Sequence, residues 1–315
     1  MPRNYDKTNP SPQSLRMEDR KNDWTRRSFI QNGSLAGLSI AMAPFVSGSG
    51  NRPNRLSSAT NAGILHISPR YHRWHVDPGV EWLESNTTYN HLDWEVPVEQ
   101  CALILLDVWQ RHYLKDTEER TEEIIQTRLL PLLHTAREQG MNIIHAPSLT
   151  VAKGYDNWYG KNMEARRGDR EAWPPRDFRN KSGMYRRYAR PHEIREEERQ
   201  NLPALDIHPD VGPETGDAII GTGFELHKYC EDHGILFLFF AGFNTNACMI
   251  TRDYSPLAMS RKGYEILVIR DCTTGMESSE TYRTLDQTRN AILFFEMFGQ
   301  YTVDSQEMIG GFSRG

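Results

Sequence analysis

Short apolar runs alternate with amphipathic segments over most of the chain beyond residue 100. The runs predict buried strands and a final edge strand at 101–107, 141–146, 217–220, 235–241, 264–270 and 300–303. Apolar residues at helical spacing predict helices at 117–139, 224–233, 246–262 and 278–298. This alternation predicts an α/β fold, a three-layer α/β/α sandwich in which a doubly wound, mainly parallel sheet carries helices on both faces.

One stretch, 147–216, interrupts the alternation and is long for a loop in a compact domain, so we expect a functional insertion. Its part 161–190 has ten Lys or Arg residues against four acidic ones. It also carries the aromatic residues Trp173, Phe178, Tyr185 and Tyr188. Such a mixture is able to bind single-stranded nucleic acid. We favour a lid over an anionic substrate, or an oligomer contact, because the start of the chain predicts export and an exported protein rarely meets nucleic acid.

The start of the chain is typical of a targeting signal rather than a folded domain. Residues 1–60 hold nine Lys or Arg and four Asp or Glu, whereas the whole chain has a net charge of -5. Arg26 and Arg27 precede an uncharged, weakly apolar segment that ends in small residues near Ser49. This order resembles a twin-arginine export signal. We therefore expect a signal peptide over 1–49, a linker and N-terminal extension over 50–95, and a periplasmic or extracellular mature protein.

Composition excludes several classes of protein. Charged residues make up 25% of the 315 residues and aromatic residues 10%, which is ordinary for a globular protein. The negative net charge excludes a basic nucleic-acid binder, and four cysteines are too few for a disulfide-stapled miniprotein. No apolar run reaches the roughly 18 residues of a membrane span. Cys101, Cys230 and Cys272 lie in predicted strands or helices and are interpreted as core residues, although export would permit a disulfide.

The segment with the clearest chemistry follows the predicted strand 235–241. It reads Gly242-Phe-Asn-Thr-Asn-Ala-Cys248 and enters a predicted helix with the cysteine in its first turn. A helix N-terminus stabilises a thiolate, and its amides are able to bind an oxyanion. Asp107 also ends a strand, so a parallel sheet would bring it to the same edge. An acid beside a thiol is able to take its proton and deliver it to a leaving group, but a cysteine in a first helical turn is more often a core residue.

The chain from Cys101 to Ile309 resembles the isochorismatase-like cysteine hydrolases, a family that includes isochorismatases, nicotinamidases and carbamoylases. Four segments carry the resemblance: Leu105-Leu-Asp107, Gly242 to Cys248, Thr251 to Ala258 with Gly263-Tyr264, and Arg270-Asp-Cys-Thr273.

The resemblance implies a six-stranded parallel sheet, a Cys–Asp–Lys triad and, in the amidase members, a covalent thioester-type intermediate. By the resemblance, Cys248 would be the nucleophile and Asp107 the general acid and base. The amides of Ala247 and Cys248 would face the oxyanion, and a non-proline cis peptide would fall near Phe243-Asn244. The family often forms dimers or tetramers, so we expect a homo-oligomer.

The chain departs from the family where the lysine should follow the third strand. Thr222 is the nearest match there, and it carries no charge. We expect activation of the thiol to come from the helix dipole, from a loop cation such as Lys153 or Lys181, or to be lost altogether.

Other positions give weaker indications. The nicotinamidase metal pattern after the second strand is missing, and the lone His145 is interpreted as a core or pocket-lining residue. Trp109 stands where the family often has glutamine, with Gln110 next to it, and Thr245 is a further candidate for the pocket. His66, His72 and His75 are interpreted as a surface segment rather than a metal site. We expect no metal and no cofactor.

These features favour a hydrolase that cleaves an amide-like C–N bond of a small molecule through a covalent thiol intermediate. Two alternatives remain open. A silent family member would bind ligands or partners without turnover, as the missing lysine suggests. A vinyl-ether hydrolase would need Asp107 but not Cys248.

Overall fold

The computed structural model describes residues 63–163 and 174–312. The predicted signal peptide over 1–49, the linker at 50–62 and Trp173 lie outside these residues. Among the described residues, no helix is both long enough and apolar enough to cross a bilayer.

Ten strands and ten helices follow one another along the described chain. The strands are β1 Ile64–Ile67, β2 Arg70–Arg73, β3 Thr88–His91, β4 Trp94–Pro97, β5 Cys101–Leu106, β6 Asn142–Ala146, β7 Ala218–Ile219, β8 Phe237–Phe243, β9 Glu265–Thr274 and β10 Tyr301–Val303. The helices are α1 Lys115–Ile124, α2 Leu130–Glu138, α3 Leu149–Ala152, α4 Arg176–Arg179, α5 Glu196–Gln200, α6 Gly223–His233, α7 Cys248–Thr251, α8 Pro256–Arg261, α9 Asp286–Met297 and α10 Ser305–Phe312. A π-helical segment, Ile125–Leu129, joins α1 to α2, and five 3₁₀ turns complete the set.

One sheet of eight strands organises the chain, in the order β3-β2-β10-β9-β8-β5-β6-β7. The six strands from β10 to β7 are parallel, which confirms the doubly wound α/β sandwich and its six parallel strands. The whole sheet has two strands more than the predicted six, because β2 and β3 extend it through antiparallel pairing at the β10 edge. Strands β1 and β4 form a separate antiparallel pair.

Two apolar layers cover the two faces of the sheet. Alternate residues of β5 face opposite sides: Leu103 and Leu105 pack with α2 and α10, whereas Ile104 packs with α6. Because these strands are buried on both faces, they are apolar at nearly every position. This explains why unbroken apolar runs identified them correctly in the sequence.

The predicted helix 246–262 is wrong as a continuous element. Helix α7 ends at Thr251, and α8 begins at Pro256 with Ser255 as its N-cap, whose hydroxyl accepts a hydrogen bond from Ala258 N–H at 3.2 Å. Proline has no amide proton and clashes with the preceding turn, so a helix restarts here rather than passing through. The break leaves Arg252 in an extended conformation, with φ -64° and ψ 147°. The predicted helix 278–298 is likewise shorter than expected, since α9 begins only at Asp286.

Candidate active site

The carboxyl ends of β5 and β8 meet at one edge of the sheet and carry the two predicted catalytic residues. Leu106 is paired with Gly242 in adjacent parallel strands. A Cβ atom on Gly242 would lie 1.9 Å from the Leu106 carbonyl oxygen, so only glycine permits this close approach. As a result, Asp107 and Cys248 face each other, and the thiol is hydrogen-bonded to the carboxylate.

The turn between β8 and α7 places further polar groups around the sulfur. The Phe243–Asn244 peptide bond is cis, as the resemblance implied. The backbone N–H of Asn244 donates a hydrogen bond to the Cys248 sulfur. The predicted role of Ala247 in the oxyanion site is not supported, because its N–H donates to the Asn244 carbonyl at 3.1 Å. The Cys248 backbone N–H makes no hydrogen bond to another described residue, so it is available to an oxyanion.

A third residue, Arg252, completes the group. Its Nε and Nη2 donate to Asp107 Oδ2 at 2.9 and 2.7 Å. Asp107 is 7% exposed, whereas the arginine side chain is 33% exposed. The helix break after Thr251 makes this contact possible, since it turns the arginine away from the helical path. Tyr254, in the same break, donates its hydroxyl to the Pro147 carbonyl at 2.8 Å and so anchors the start of the insertion.

The expected substitutes for the family lysine lie elsewhere. Thr222 caps α6, its hydroxyl accepting from Glu225 N–H at 3.2 Å, and it does not line the cavity. The Lys181 ammonium lies over the Phe178 ring, 3.5 Å from its centre. Neither Lys181 nor Lys153 lines the cavity. The cation next to Asp107 is therefore Arg252, which the sequence analysis missed.

Electrostatics set the resting protonation of the site. Burial raises the pKa of the Asp107 carboxyl, and the Arg252 charge opposes that rise. Burial together with the adjacent Asp107 charge raises the pKa of the Cys248 thiol to about 11. The helix dipole has little to offer the thiol here, because α7 has only four residues and the sulfur lies beside an anion. The resting sulfur is a thiol whose proton has a base next to it.

A cavity of about 370 Å³ opens over Asp107 and Cys248. The insertion supplies much of its wall, from Pro147 and Val151 at one side to Leu202, Pro203 and Ile207 at the other. Three aromatic rings form another part: Trp109 lies 5.0 Å from His112, centre to centre, and His112 stacks on Tyr113 at 4.5 Å. Burial lowers the pKa of His112. The cavity has the size for a small molecule, and its wall combines apolar and aromatic surface with charged side chains.

Of the other predicted pocket residues, Trp109 lines the cavity, but His145 and Thr245 do not. His145 is 1% exposed, and its Nε2 lies 3.1 Å from Asp217 Oδ2. The Thr245 hydroxyl lies 2.7 Å from that of Thr273 in the core. Both side chains are buried in the protein interior and are not part of the cavity wall.

The remaining cysteines and histidines take structural positions. Cys101, Cys230 and Cys272 are buried and free, and burial raises the pKa of the Cys101 and Cys230 thiols to about 12. His66 and His72 lie in β1 and β2, within sheets rather than in a loose surface segment.

One group that the sequence analysis did not single out brings together Glu122, His208 and Asp210 at metal-ligand spacing. Here His208 Nε2 lies 2.9 Å from Glu122 Oε2, and Asp210 N–H donates to His208 Nδ1 at 3.3 Å. The two ring nitrogens of His208 are thus already engaged, one by the Glu122 carboxylate and the other by the Asp210 backbone N–H.

A parallel α/β sandwich with an acid and a cysteine at the carboxyl ends of adjacent strands is the arrangement implied by the sequence resemblance. The isochorismatase domain matches residues 101–296. This chain therefore belongs to the isochorismatase family.

Solved structures resemble the chain at low sequence identity. A cysteine hydrolase from Pseudomonas syringae pv. phaseolicola has a TM-score of 0.48 and 15% identity, covering 70% of this chain and 96% of that one. An isochorismatase family protein from Desulfovibrio vulgaris has a TM-score of 0.39 and 14% identity, covering 66% and 95%. An N-carbamoylsarcosine amidase from Thermoplasma acidophilum has a TM-score of 0.36 and 12% identity, covering 65% and 96%. The sequence matches none of the curated proteins with which it was compared.

Proposed function

We propose that this protein is a hydrolase that cleaves an amide-like C–N bond of a small molecule through a covalent intermediate on Cys248. The observation that carries the proposal is the chain of contacts from the Cys248 thiol to Asp107 and from Asp107 to Arg252. It links a nucleophile, a buried base and a permanent cation beside one cavity.

The reaction follows from the resting protonation. Because the thiol pKa is about 11, attack on the carbonyl carbon is coupled to transfer of the thiol proton to Asp107. The Cys248 amide then donates to the oxyanion. Collapse breaks the C–N bond, and Asp107 returns the proton to the leaving nitrogen. Water attacks the thioester in the second half, gives its proton through Asp107 to the departing sulfur, and releases the acid.

Arg252 performs the electrostatic part of the task expected of the missing lysine. Its charge favours the ionised form of Asp107, which burial alone would disfavour. Arginine stays protonated at any working pH, so Arg252 holds and orients the carboxylate without exchanging a proton itself.

Asn244 supports a substrate with an N–H group. The residue lines the cavity, is 6% exposed, and its Oδ1 has no hydrogen-bond partner among the described residues. A buried acceptor without a donor is costly and calls for one from the ligand. An amide or carbamoyl nitrogen supplies that donor, whereas a vinyl ether does not.

The test is release of amine or ammonia from a panel of small amides and N-carbamoyl compounds, by wild type, Cys248→Ala and Asp107→Asn. We expect both variants to lose turnover, and mass spectrometry of quenched wild type to find an acyl group on Cys248. Turnover that survives Cys248→Ala but not Asp107→Asn would instead establish the thiol-independent chemistry. A folded wild type that binds panel members without turning any over would establish the silent family member.

We also propose that the protein is exported by the twin-arginine route, on the strength of Arg26 and Arg27 before the weakly apolar segment. Residues 1–49 fused to a reporter should reach the periplasm, and replacing both arginines by lysine should retain it in the cytoplasm.

A further inference from the structure

We propose that Arg111 is the anchor for an anionic group of the substrate, so that the protein acts on small amides that also carry a carboxylate or similar anion. The amide part of this inference rests on the proposed function. The anion site rests on Arg111 alone.

Arg111 is held in place by the insertion. Its Nη2 donates to the Pro203 carbonyl at 2.5 Å and also to the Ala204 carbonyl. Both acceptors are neutral, so the guanidinium is fixed in the cavity wall by groups that are not acidic.

The Nε of Arg111 is buried and has no hydrogen-bond partner among the described residues. An unpaired buried donor on a charged group costs more than a neutral one, and a carboxylate oxygen would satisfy it.

The other charged side chains in the cavity wall already have partners. Arg252 is paired with Asp107, and Arg199 with Glu196. The Asp206 carboxylate accepts from the Tyr155 hydroxyl at 2.5 Å and from Ile207 N–H at 2.8 Å. Within the described part of the chain, Arg111 is the lining cation that has no acidic partner. A substrate anion would complete it.

Arg111 lines the same cavity as Asn244 and Cys248. The apolar and aromatic residues Trp109, Leu202 and Leu205 line it as well. A small molecule that carries an amide, an apolar body and an anion fits this lining.

Charge-selective alkylation tests the anion site without knowledge of the substrate. The Cys248 thiolate attacks the methylene carbon of iodoacetate and of iodoacetamide and displaces iodide from each, so the ratio of the two rates does not depend on the thiol pKa. That ratio, resolved by mass spectrometry and divided by the ratio for N-acetylcysteine, reports the attraction of the cavity for an anion. We expect it to exceed one in wild type and to fall about fivefold in Arg111→Gln, as loss of one nearby, partly screened charge implies.

Two further variants isolate the site. Arg195→Gln removes the same charge from an exposed arginine that pairs with Glu198 and does not line the cavity, so it should leave the ratio unchanged. Arg111→Lys keeps the charge and should retain most of the ratio. Equal slowing of both reagents in Arg111→Gln, or an equal fall in Arg195→Gln, would overturn the proposal.

A measurement on wild type alone covers the case in which Arg111→Gln fails to fold. Benzoate should slow alkylation by iodoacetamide, and benzyl alcohol, its uncharged counterpart, should not. Absence of protection by benzoate would reject the anion site. An Arg111-dependent ratio in a protein that hydrolyses no amide would reject the proposed function and leave the anion site standing.

Discussion

Two nitrogens of Arg252 donate hydrogen bonds to a single oxygen of Asp107. The arginine lies in a break between two short helices and not at the strand end where the family lysine is expected. The contact supplies a fixed positive charge to the base. It also makes the function of Asp107 depend on a residue 145 positions away in the chain.

The first prediction concerns this contact. Replacing Arg252 by glutamine removes the charge that holds down the pKa of Asp107, so that pKa should rise further. Because Asp107 must be ionised to accept the thiol proton, the acidic limb of the pH profile of kcat/KM should move to higher pH. We expect a loss of about 100-fold in kcat/KM at neutral pH, as is typical of removing one electrostatic group from an active site.

Arg252→Lys should restore part of the rate and shift the acidic limb back. Arg261→Gln, at the exposed end of α8, is the matched control and should behave as wild type. An acidic limb that does not move in Arg252→Gln would show that the arginine only positions its neighbours.

The second prediction separates thiol reactivity from turnover. Asp107 raises the pKa of the Cys248 thiol through its charge and its hydrogen bond. Asp107→Asn removes that charge and frees Arg252, so the thiol pKa should fall below about 11 and iodoacetamide should react at lower pH than in wild type. Amide hydrolysis should nevertheless be lost, because no base remains to accept and return the proton.

The pH dependence of site-resolved alkylation measures this shift, and Asp206→Asn in the same cavity wall is the control. A profile for Asp107→Asn that moves to higher pH would contradict the arrangement of charges described for the site.

The third prediction concerns the close approach of β5 and β8, which brings the two proposed catalytic residues together. Gly242→Ala places a Cβ atom 1.9 Å from the Leu106 carbonyl oxygen, so β5 and β8 must separate. We expect a loss of more than about 3 kcal/mol in the free energy of unfolding, in the range of severe core substitutions. Gly140→Ala is the matched control, since that glycine also has positive φ but meets nothing within 4 Å, and it should cost only about 1 kcal/mol.

Denaturant unfolding followed by circular dichroism compares the two variants. Equal losses would show that backbone conformation alone, and not the close approach of the strands, requires glycine at position 242.

The sequence predicted most of the sheet and two of the three residues of the proposed reaction centre, for physical reasons. Strands buried on both faces are apolar throughout, so β5 and β8 stand out, and their ends place Asp107 and Cys248 at one edge. Strands β2 and β3 escaped notice because they are four residues long, partly or fully exposed, and rich in polar residues.

Arg252 escaped for a different reason. A continuous helix over 246–262 would have carried it along the helical path, and only the Ser255-Pro256 pair signals that the helix restarts. The carbonyls that fix Arg111 belong to a segment 92 residues further on, whose course no local pattern reveals.

The last prediction concerns stability and pH. His145 is buried against Asp217, which also accepts from Arg137 and from the Glu214 amide. Burial lowers the pKa of His145 below its usual 6.5, although the Asp217 carboxylate opposes this shift. The unfolded chain therefore binds a proton at this residue that the folded protein does not, at pH values between the lowered pKa and 6.5. The contribution of His145 to the free energy of unfolding should therefore be complete above pH 6.5. It should decrease as the pH drops from 6.5 towards the lowered pKa.

His145→Asn should flatten that dependence, because it removes the proton uptake while keeping a polar group near Asp217. The exposed His134→Gln should leave the slope as in wild type. Asp217 adds its own dependence at lower pH, since its pKa is lowered from 3.8 and its contribution is lost as the pH falls through that lowered value. Unfolding by urea at a series of pH values distinguishes the two, because only the upper window should respond to His145→Asn. An unchanged slope in the upper window for that variant would assign the dependence to another group, and His112, whose pKa burial also lowers, is the next residue to replace.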